Sequence, residues 1–166
     1  MHFNSTIFLK VHPDIATSRR EYDTLPDQEW RKDFFSEETG GFLVTSWKRI
    51  EHARINKKED LKFQKEHEMC LVFAKSGLKI KHYEDEKPEG SYDVVCNGRK
   101  GDLKRTKGVG NIVRYAKYAT REQGAEIVLF EFEEWKTEIR DAISELVRKR
   151  LHGYYFISEN GLVHDF

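Results

Sequence analysis

The stretch that decides the fold runs from residue 91 to residue 104 and reads Ser91-Tyr92-Asp93-Val94-Val95-Cys96-Asn97-Gly98-Arg99-Lys100-Gly101-Asp102-Leu103-Lys104. Asn-Gly is a strong signal for a two-residue hairpin turn, because both turn positions need positive φ. The runs 91–96 and 99–104 are therefore predicted to form two antiparallel strands. Side chains alternate along a strand, so Asp102 and Lys104 should share one face, with Asp93 near the same end of the hairpin. We expect both carboxylates to be partly exposed in a cleft.

The flanking sequence predicts further helices and strands by its periodicity and turn residues. Apolar positions at helical spacing predict helices at about 60–76, 111–123 and 135–151, and Gly77 and Gly124 are suitable stops. Apolar or alternating runs predict strands at 7–11, 42–47, 78–83 and 127–132, with a closing hairpin at 154–157 and 162–164. An opening meander followed by a strand–helix–strand crossover implies an α/β fold with a mixed central sheet flanked by helices.

Length and composition favour an intracellular domain. The 166 residues can bury a core without disulfides, and Cys70 and Cys96 sit in no CxxC pair, so reduced thiols are expected. We assign 1–55 to an N-terminal extension or subdomain of unknown role, and 56–166 to the main domain. No run approaches the roughly 18 apolar residues of a membrane span. No basic start followed by an apolar run indicates a signal peptide.

Charge is balanced overall but unevenly distributed. The chain has 29 basic and 29 acidic residues, so net charge alone predicts no nucleic-acid partner. Residues 98–121 nevertheless hold eight Lys or Arg and one acid, whereas residues 122–145 hold eight acids and two bases. This asymmetry predicts a basic face beside an acidic one. The alternative is two solvated helix faces.

Asp93, Asp102 and Lys104 carry the clearest chemistry in the sequence. Two aspartates, completed by water and phosphate oxygens, suit a hard cation such as Mg²⁺ or Mn²⁺. A lysine beside such an ion can orient a water molecule and stabilise charge that develops on a phosphate. The alternative is an exposed charge pair on an edge strand, which would contribute little free energy.

The same residues resemble the PD-(D/E)XK nuclease superfamily over roughly residues 60–132. A helix with a glutamate, a strand carrying Asp93, and a hairpin into Asp102-Leu103-Lys104 are similar to its motif, although Tyr92 stands where proline is usual. The resemblance implies metal-dependent hydrolysis of phosphodiester bonds. It makes Glu66, with Glu68 as second choice, a metal ligand beside Asp93, Asp102 and the Leu103 carbonyl, with Lys104 as the catalytic lysine.

A narrower resemblance is to the C-terminal tRNase toxin domains of bacterial contact-dependent growth-inhibition (CdiA-type) proteins. It rests on the run that starts at Asp102, on Asn111-Ile112-Val113, on Gln123-Gly124-Ala125, and on the strand 127–132. It implies a tRNA substrate, action in the cytoplasm, delivery into target cells if part of a larger toxin, and an immunity protein as a possible partner. The nucleic-acid-binding candidates are Arg105, Thr106, Lys107, Asn111, Arg114, Lys117, Arg121 and Gln123.

Three other functions compete with the RNA nuclease. One is a DNA endonuclease of a mobile element, and another is a non-catalytic nucleic-acid-binding or partner-binding module on the same fold. A metal-independent RNase could use His67 or His82 as general acid or base, although no paired-histidine pattern supports it. Tyr115 and Tyr118 could stack on bases, but we expect both to pack in the core.

Overall fold

The structure, a computed structural model, describes residues 14–85 and 87–166, so the strand expected at 7–11 lies outside the described residues. The chain divides into two compact units, the first ending at His82 and the second beginning at Tyr83. The predicted boundary at residue 55 falls within the first of these units, and a separate role for 1–55 stays a prediction.

The described residues of the first unit form three strands and three helices. Its elements are α1 (Ile15–Thr24), β1 (Trp30–Phe35), β2 (Phe42–Ser46), α2 (Trp47–Ala53), α3 (Lys57–Lys75) and β3 (Lys79–His82). β2 pairs antiparallel with β1 and parallel with β3, so α2 and α3 form the crossover between two parallel strands. The Asn56 side chain caps α3 by accepting from the Glu59 N–H at 2.9 Å. α1 and α2 were not expected from the sequence, which lacks a clear apolar stripe there.

The second unit carries five strands and two helices. They are β4 (Val94–Cys96), β5 (Arg99–Thr106), α4 (Ile112–Glu122), β6 (Ile127–Phe132), α5 (Thr137–Arg148), β7 (His152–Ile157) and β8 (His164–Asp165). The sheet order in this unit is β4-β5-β6-β7-β8. The two outer pairs are antiparallel, and β5, β6 and β7 run parallel through the α4 and α5 crossovers. A mixed α/β architecture with helices flanking the strands is thus confirmed.

The hairpin predicted at Asn97-Gly98 is confirmed. β4 and β5 pair with Cys96 opposite Arg99 and Val94 opposite Gly101, and the turn residues have φ values of 48° and 82°. Both values are positive, as the two-residue turn requires. A Cβ on Gly101 would lie 2.7 Å from the Leu129 side chain, so any larger residue there would require the leucine to shift.

The core of the second unit lies between its sheet and the helices α4 and α5. The cluster contains Ile112, Ala116, Ala119, Ala125, Val128, Phe130, Phe132, Ile139, Leu146 and Ile157. Burial of such side chains removes apolar surface from water and drives this packing.

Two residues that the sequence predicted on the buried stripes of their helices are exposed to solvent. Val147 on α5 and Leu61 on α3 are each 48% exposed.

The two cysteines are free and buried, as expected for reduced thiols. Burial raises the pKa of the Cys96 thiol to about 12, partly opposed by the charge of Arg99. A thiol with so high a pKa is protonated at neutral pH and is a poor nucleophile or metal ligand.

Candidate active site

Asp102 and Lys104 meet on one face of β5. The Lys104 Nζ lies 2.9 Å from the Asp102 Oδ2, as the period-2 alternation of a strand predicts. In the parallel register with β6, Asp102 lies opposite Val128 and Lys104 opposite Phe130. Val128 and Phe130 belong to the core under α4 and α5, so the ion pair sits on the helix-covered face of the sheet.

Asp93 contacts the backbone between these two residues. Its Oδ2 accepts a hydrogen bond from the Leu103 N–H at 2.8 Å, and its own N–H donates to the Gly101 carbonyl at 3.0 Å. The Asp93 carbonyl accepts from the Tyr83 N–H at 2.9 Å, which fixes the residue from the other side. The Asp93 carboxylate therefore accepts the hydrogen bond that a neighbouring strand's carbonyl would otherwise accept from the Leu103 N–H. Leu103 is the residue between Asp102 and Lys104.

Both aspartates are buried, and the expectation of partial exposure was wrong. Asp93 is 8% exposed and Asp102 is 1% exposed, whereas the Lys104 side chain is 24% exposed. For Asp102 the reason is that β5 is an inner strand, between β4 and β6, with helices packed over the face that carries this residue. The alternative of an exposed edge-strand charge pair is wrong for the same reason.

The Asp102 carboxylate has a cationic partner, Lys104, but its hydrogen bonding to the described residues is incomplete. Apart from its ion contact with Lys104, Oδ2 receives no hydrogen bond of good geometry from the described residues. A buried carboxylate oxygen without hydrogen bonds costs free energy unless a charge or ion interacts with it. A carboxylate oxygen is the kind of ligand that hard divalent cations prefer.

Lys87 is a second cation near Asp93 that the sequence did not single out. Its Nζ lies 3.8 Å from the centroid of the Tyr92 ring and donates hydrogen bonds to the carbonyls of Glu84 and Tyr92. Desolvation lowers the pKa of Lys87, and the charges of Glu84 and Asp93 partly oppose that shift. In the sequence Lys87 lies in a polar loop, where nothing distinguishes it from a solvated lysine.

Glu66, the helix acid implied by the resemblance, contacts two buried residues of the first unit. Its Oε2 accepts from Arg49 Nη2 at 3.1 Å and lies 3.2 Å from His82 Nε2. Arg49 and His82 are fully buried, and Glu66 is the carboxylate that compensates the arginine charge. Glu68, the second choice, is exposed. Of the two glutamates, Glu66 is therefore the one held in a fixed, mostly buried position.

Two histidines, His67 and His82, pack around Phe63 near Glu66. The Phe63 ring packs against both His67 and His82, with centroid distances of 5.4 Å and 5.6 Å. Desolvation lowers the pKa of His67, mainly opposed by the charge of Asp33, whose Oδ2 lies 3.9 Å from His67 Nε2. His67 and His82 thus lie in a packed interior cluster, and their role as acid or base in a metal-independent RNase stays an untested alternative.

The outer face of α4 carries a basic surface whose cations have no carboxylate partner among the described residues. Arg114, Lys117, Tyr118 and Arg121 lie at helical spacing away from the buried Ile112, Ala116 and Ala119. Tyr118 is 55% exposed, so the expectation that it packs in the core was wrong, whereas Tyr115 packs against the core. Lys104 Nζ lies 5.9 Å from the centroid of the Tyr115 ring, which links the basic helix to the candidate active site.

The other nucleic-acid-binding candidates are scattered. Thr106 Oγ1 donates to the Gly108 carbonyl, Lys107 is 3.7 Å from Glu133, and Asn111 precedes α4 without a side-chain cap. Arg105 points to the opposite face of β5 from Lys104 and lies 3.6 Å from Glu131, so it does not join the basic surface. Gln123 follows the last turn of α4, with its Oε1 buried.

Comparison with known proteins gives one informative fold likeness. No protein-family model matches the sequence, and no curated protein matches it. A chain of a CdiA-CT/CdiI toxin and immunity complex from Burkholderia pseudomallei is similar in structure, with a TM-score of 0.50 and 14% sequence identity. The match covers 61% of this chain and 81% of that chain. At this identity the likeness shows a shared fold, and the PD-(D/E)XK assignment stays a prediction.

Among the described residues, no helix is both long and apolar enough to cross a bilayer.

Proposed function

We propose that this protein is a metal-dependent nuclease of the toxin type that hydrolyses phosphodiester bonds. The observation that carries the proposal is the Asp102 carboxylate, which is buried and whose Oδ2 lies 2.9 Å from Lys104 Nζ while it receives no hydrogen bond of good geometry from the described residues. A carboxylate that served only stability would be expected to have its hydrogen bonds completed by the protein. The fold likeness to a chain of a toxin and immunity complex supports the toxin class.

Asp93 and Asp102 would hold Mg²⁺ or Mn²⁺, with the Leu103 carbonyl as a further ligand by resemblance. When bound, such an ion supplies an activated water and stabilises negative charge on the leaving oxygen. Asp93 stays oriented by the Leu103 N–H, and Lys104, partly exposed, orients the attacking water and stabilises the charged phosphate. Glu66 as a third ligand is proposed from the sequence resemblance.

We propose RNA, and tRNA in particular, as the preferred substrate, with DNA as the second candidate. The unpaired cations of α4 and the exposed ring of Tyr118 favour contact with phosphates and unstacked bases, which both substrates offer. The preference for tRNA rests on the sequence resemblance. The cytoplasm, where tRNA is found, is the proposed place of action.

An immunity-type protein is the proposed partner. The fold likeness to a chain of a toxin and immunity complex supports it, and the exposed acids of α5, including Glu138 and Asp141, offer a charged docking surface. Co-expression with the product of an adjacent reading frame should give a stable complex with suppressed nuclease activity. Complex formation without loss of activity would contradict a neutralising role.

The proposal is tested by incubating purified protein with total RNA, tRNA and plasmid DNA in Mg²⁺, Mn²⁺ or chelator. Asp102→Asn should abolish cleavage, while Asp141→Asn, at an exposed position on α5, should cleave like the wild type. Nucleic-acid binding should survive or tighten in Asp102→Asn, because loss of a negative charge eases the approach of phosphate. Full cleavage in chelator or by Asp102→Asn would show that this centre is not the catalyst.

The basic face of α4 also favours the non-catalytic binding module. That function predicts binding of nucleic acid with no metal-dependent turnover in any variant, and a loss of affinity mainly at Arg114, Lys117 and Arg121. The same cleavage and binding measurements on wild type and Asp102→Asn separate the two functions.

A further inference from the structure

A cationic cavity lies beside the C-terminal half of α4. It has a volume of about 260 Å³ and is lined by Lys117, Thr120 and Arg121 from α4 and by Lys149 and Leu151 from the turn after α5. Arg121 follows Tyr115 by six residues, so at 1.5 Å of rise per residue this cavity is displaced about 9 Å along the helix from the ring under Lys104. Three of its five lining residues are cations, and none of the five carries a carboxylate.

These cations are poorly neutralised compared with others in the second unit. Lys104, Arg105 and Lys107 each have a carboxylate within 3.7 Å. In contrast, no carboxylate of the described residues pairs with Lys117 or Arg121. Lys149 has only Glu145, at 3.7 Å, and both side chains are substantially exposed. Like charges gathered at one cavity destabilise the fold unless an anion is present.

Helix electrostatics explain part of this arrangement. Arg121 lies in the last turn of α4 and Lys149 caps α5, and cations are favourable at helix C-termini. The helix dipole accounts for one cation at each helix end. It does not account for cations of two helices lining one cavity that has no carboxylate and an apolar side chain, Leu151, in its wall.

We propose that this cavity is an anion site that holds one backbone phosphate of the nucleic acid, with Lys117, Arg121 and Lys149 as donors. The inference rests on the proposed function for the identity of the ligand, and it adds Lys149 to the binding surface. Thr120 contributes no donor, because its hydroxyl already donates to the Ala116 carbonyl at 2.9 Å. A phosphate held here would anchor the strand that continues along α4 toward Lys104.

The anion site is tested with inorganic phosphate as the probe, using amide chemical shifts of the full chain. Wild type should show saturable shifts at Thr120 and Leu151, and these should be lost in Arg121→Gln and Lys149→Gln. Lys136→Gln is the matched control, because Lys136 is also a half-exposed lysine of the α5 region paired with a glutamate. Equal shifts in all four proteins, or none in wild type, would overturn the site.

Unfolding temperatures show whether the variants are folded and whether they still bind phosphate. Without phosphate, Arg121→Gln and Lys149→Gln should unfold at the wild-type temperature or slightly above, since each removes like-charge repulsion. Phosphate should raise the unfolding temperature of wild type and of Lys136→Gln but not of Arg121→Gln or Lys149→Gln, because a ligand stabilises only a protein that binds it. If Arg121→Gln or Lys149→Gln has a lower unfolding temperature than wild type and phosphate still raises it, the anion site is contradicted.

Binding of a short single-stranded oligonucleotide without metal separates this inference from the proposed function. Lys149→Gln should weaken affinity several-fold and reduce the salt slope by about 0.7, the value for one phosphate contact on a single strand. If Lys149→Gln binds like wild type while wild type cleaves normally, the anion site is wrong and the nuclease proposal stands. If phosphate and oligonucleotide bind as expected but no substrate is cleaved, the site stands and the nuclease proposal falls.

Discussion

The ammonium of Lys104 lies 2.9 Å from the Oδ2 of Asp102, two positions away on the same strand. Asp102 is 1% exposed, whereas the lysine side chain extends from the buried face toward solvent and is 24% exposed. Ion pairs of this kind contribute little net stability, because burying the charges costs about as much as their attraction returns. The pair is therefore better explained by chemistry at the carboxylate than by stability.

Lys104→Ala should reduce cleavage by about 10²–10³-fold, the loss measured when one well-placed electrostatic stabiliser is removed. Lys104→Arg should retain more activity, because it keeps a positive charge beside Asp102. Single-turnover rates at saturating substrate measure this effect. Equal activity in Lys104→Ala and wild type would exclude the lysine from the reaction.

Substitutions of Asp93 should separate the hydrogen bond to Leu103 from the carboxylate charge. Asp93→Ala leaves the buried Leu103 N–H without its acceptor and should cost about 1–3 kcal/mol of stability. Asp93→Asn keeps an oxygen acceptor and should fold nearly like wild type, yet lose metal-dependent cleavage. Urea unfolding and Mn²⁺ titration calorimetry test the two effects. An active Asp93→Asn protein would contradict a role as metal ligand.

Arg114→Ala and Tyr118→Ala should weaken nucleic-acid binding in different ways. Loss of Arg114 should reduce the salt slope by about 0.7–0.9 if it contacts a phosphate. Loss of the exposed Tyr118 ring should cost about 1–3 kcal/mol if one base stacks there, and leave the salt slope unchanged. Filter binding over a range of salt concentrations distinguishes them. Unchanged affinity in both variants would remove α4 from the binding surface.

Substitutions of Glu66 and Arg49 should have strongly non-additive effects on the free energy of unfolding. Arg49 is fully buried, so Glu66→Gln leaves its charge without a carboxylate and should cost about 3–5 kcal/mol, the range for breaking a buried pair. Arg49→Met combined with Glu66→Gln should recover much of that loss, and a double-mutant cycle measures the coupling. Additive losses would show that the two side chains act independently. If Glu66 is also a metal ligand, the double variant should stay inactive despite its recovered stability.

Acid should destabilise the wild-type protein partly through His67. Its pKa lies below the ordinary 6.5, chiefly because of desolvation, so the unfolded chain binds this proton more readily. The stabilising contribution is therefore fully present above about pH 6.5, the unfolded value, and is lost as pH falls toward the folded pKa. Unfolding in urea at pH 7.5 and 5.5 should show a smaller pH effect in His67→Gln. An equal pH effect in both proteins would assign the acid sensitivity to other groups.

Several elements could be predicted from local sequence because their causes are local. The turn at Asn97-Gly98 follows from the ease with which these residues adopt positive φ. The strand 127–132 was placed without error because an uninterrupted apolar run bounded by polar residues favours an inner parallel strand. The shared face of Asp102 and Lys104 follows from the two-residue repeat of any strand.

Other features were decided by tertiary packing, which no local pattern encodes. The burial of Asp102 depends on β6 and α4 covering β5, and these elements lie outside the hairpin in sequence. The exposure of Tyr118 depends on which face of α4 meets the sheet, and an aromatic residue at helical spacing fits either side. The sequence by itself thus determined which residues of the hairpin share a face. Only the tertiary structure decided that the carboxylates are withdrawn from water and that cations of α4 and of the turn after α5 line one cavity, because both depend on contacts between distant segments.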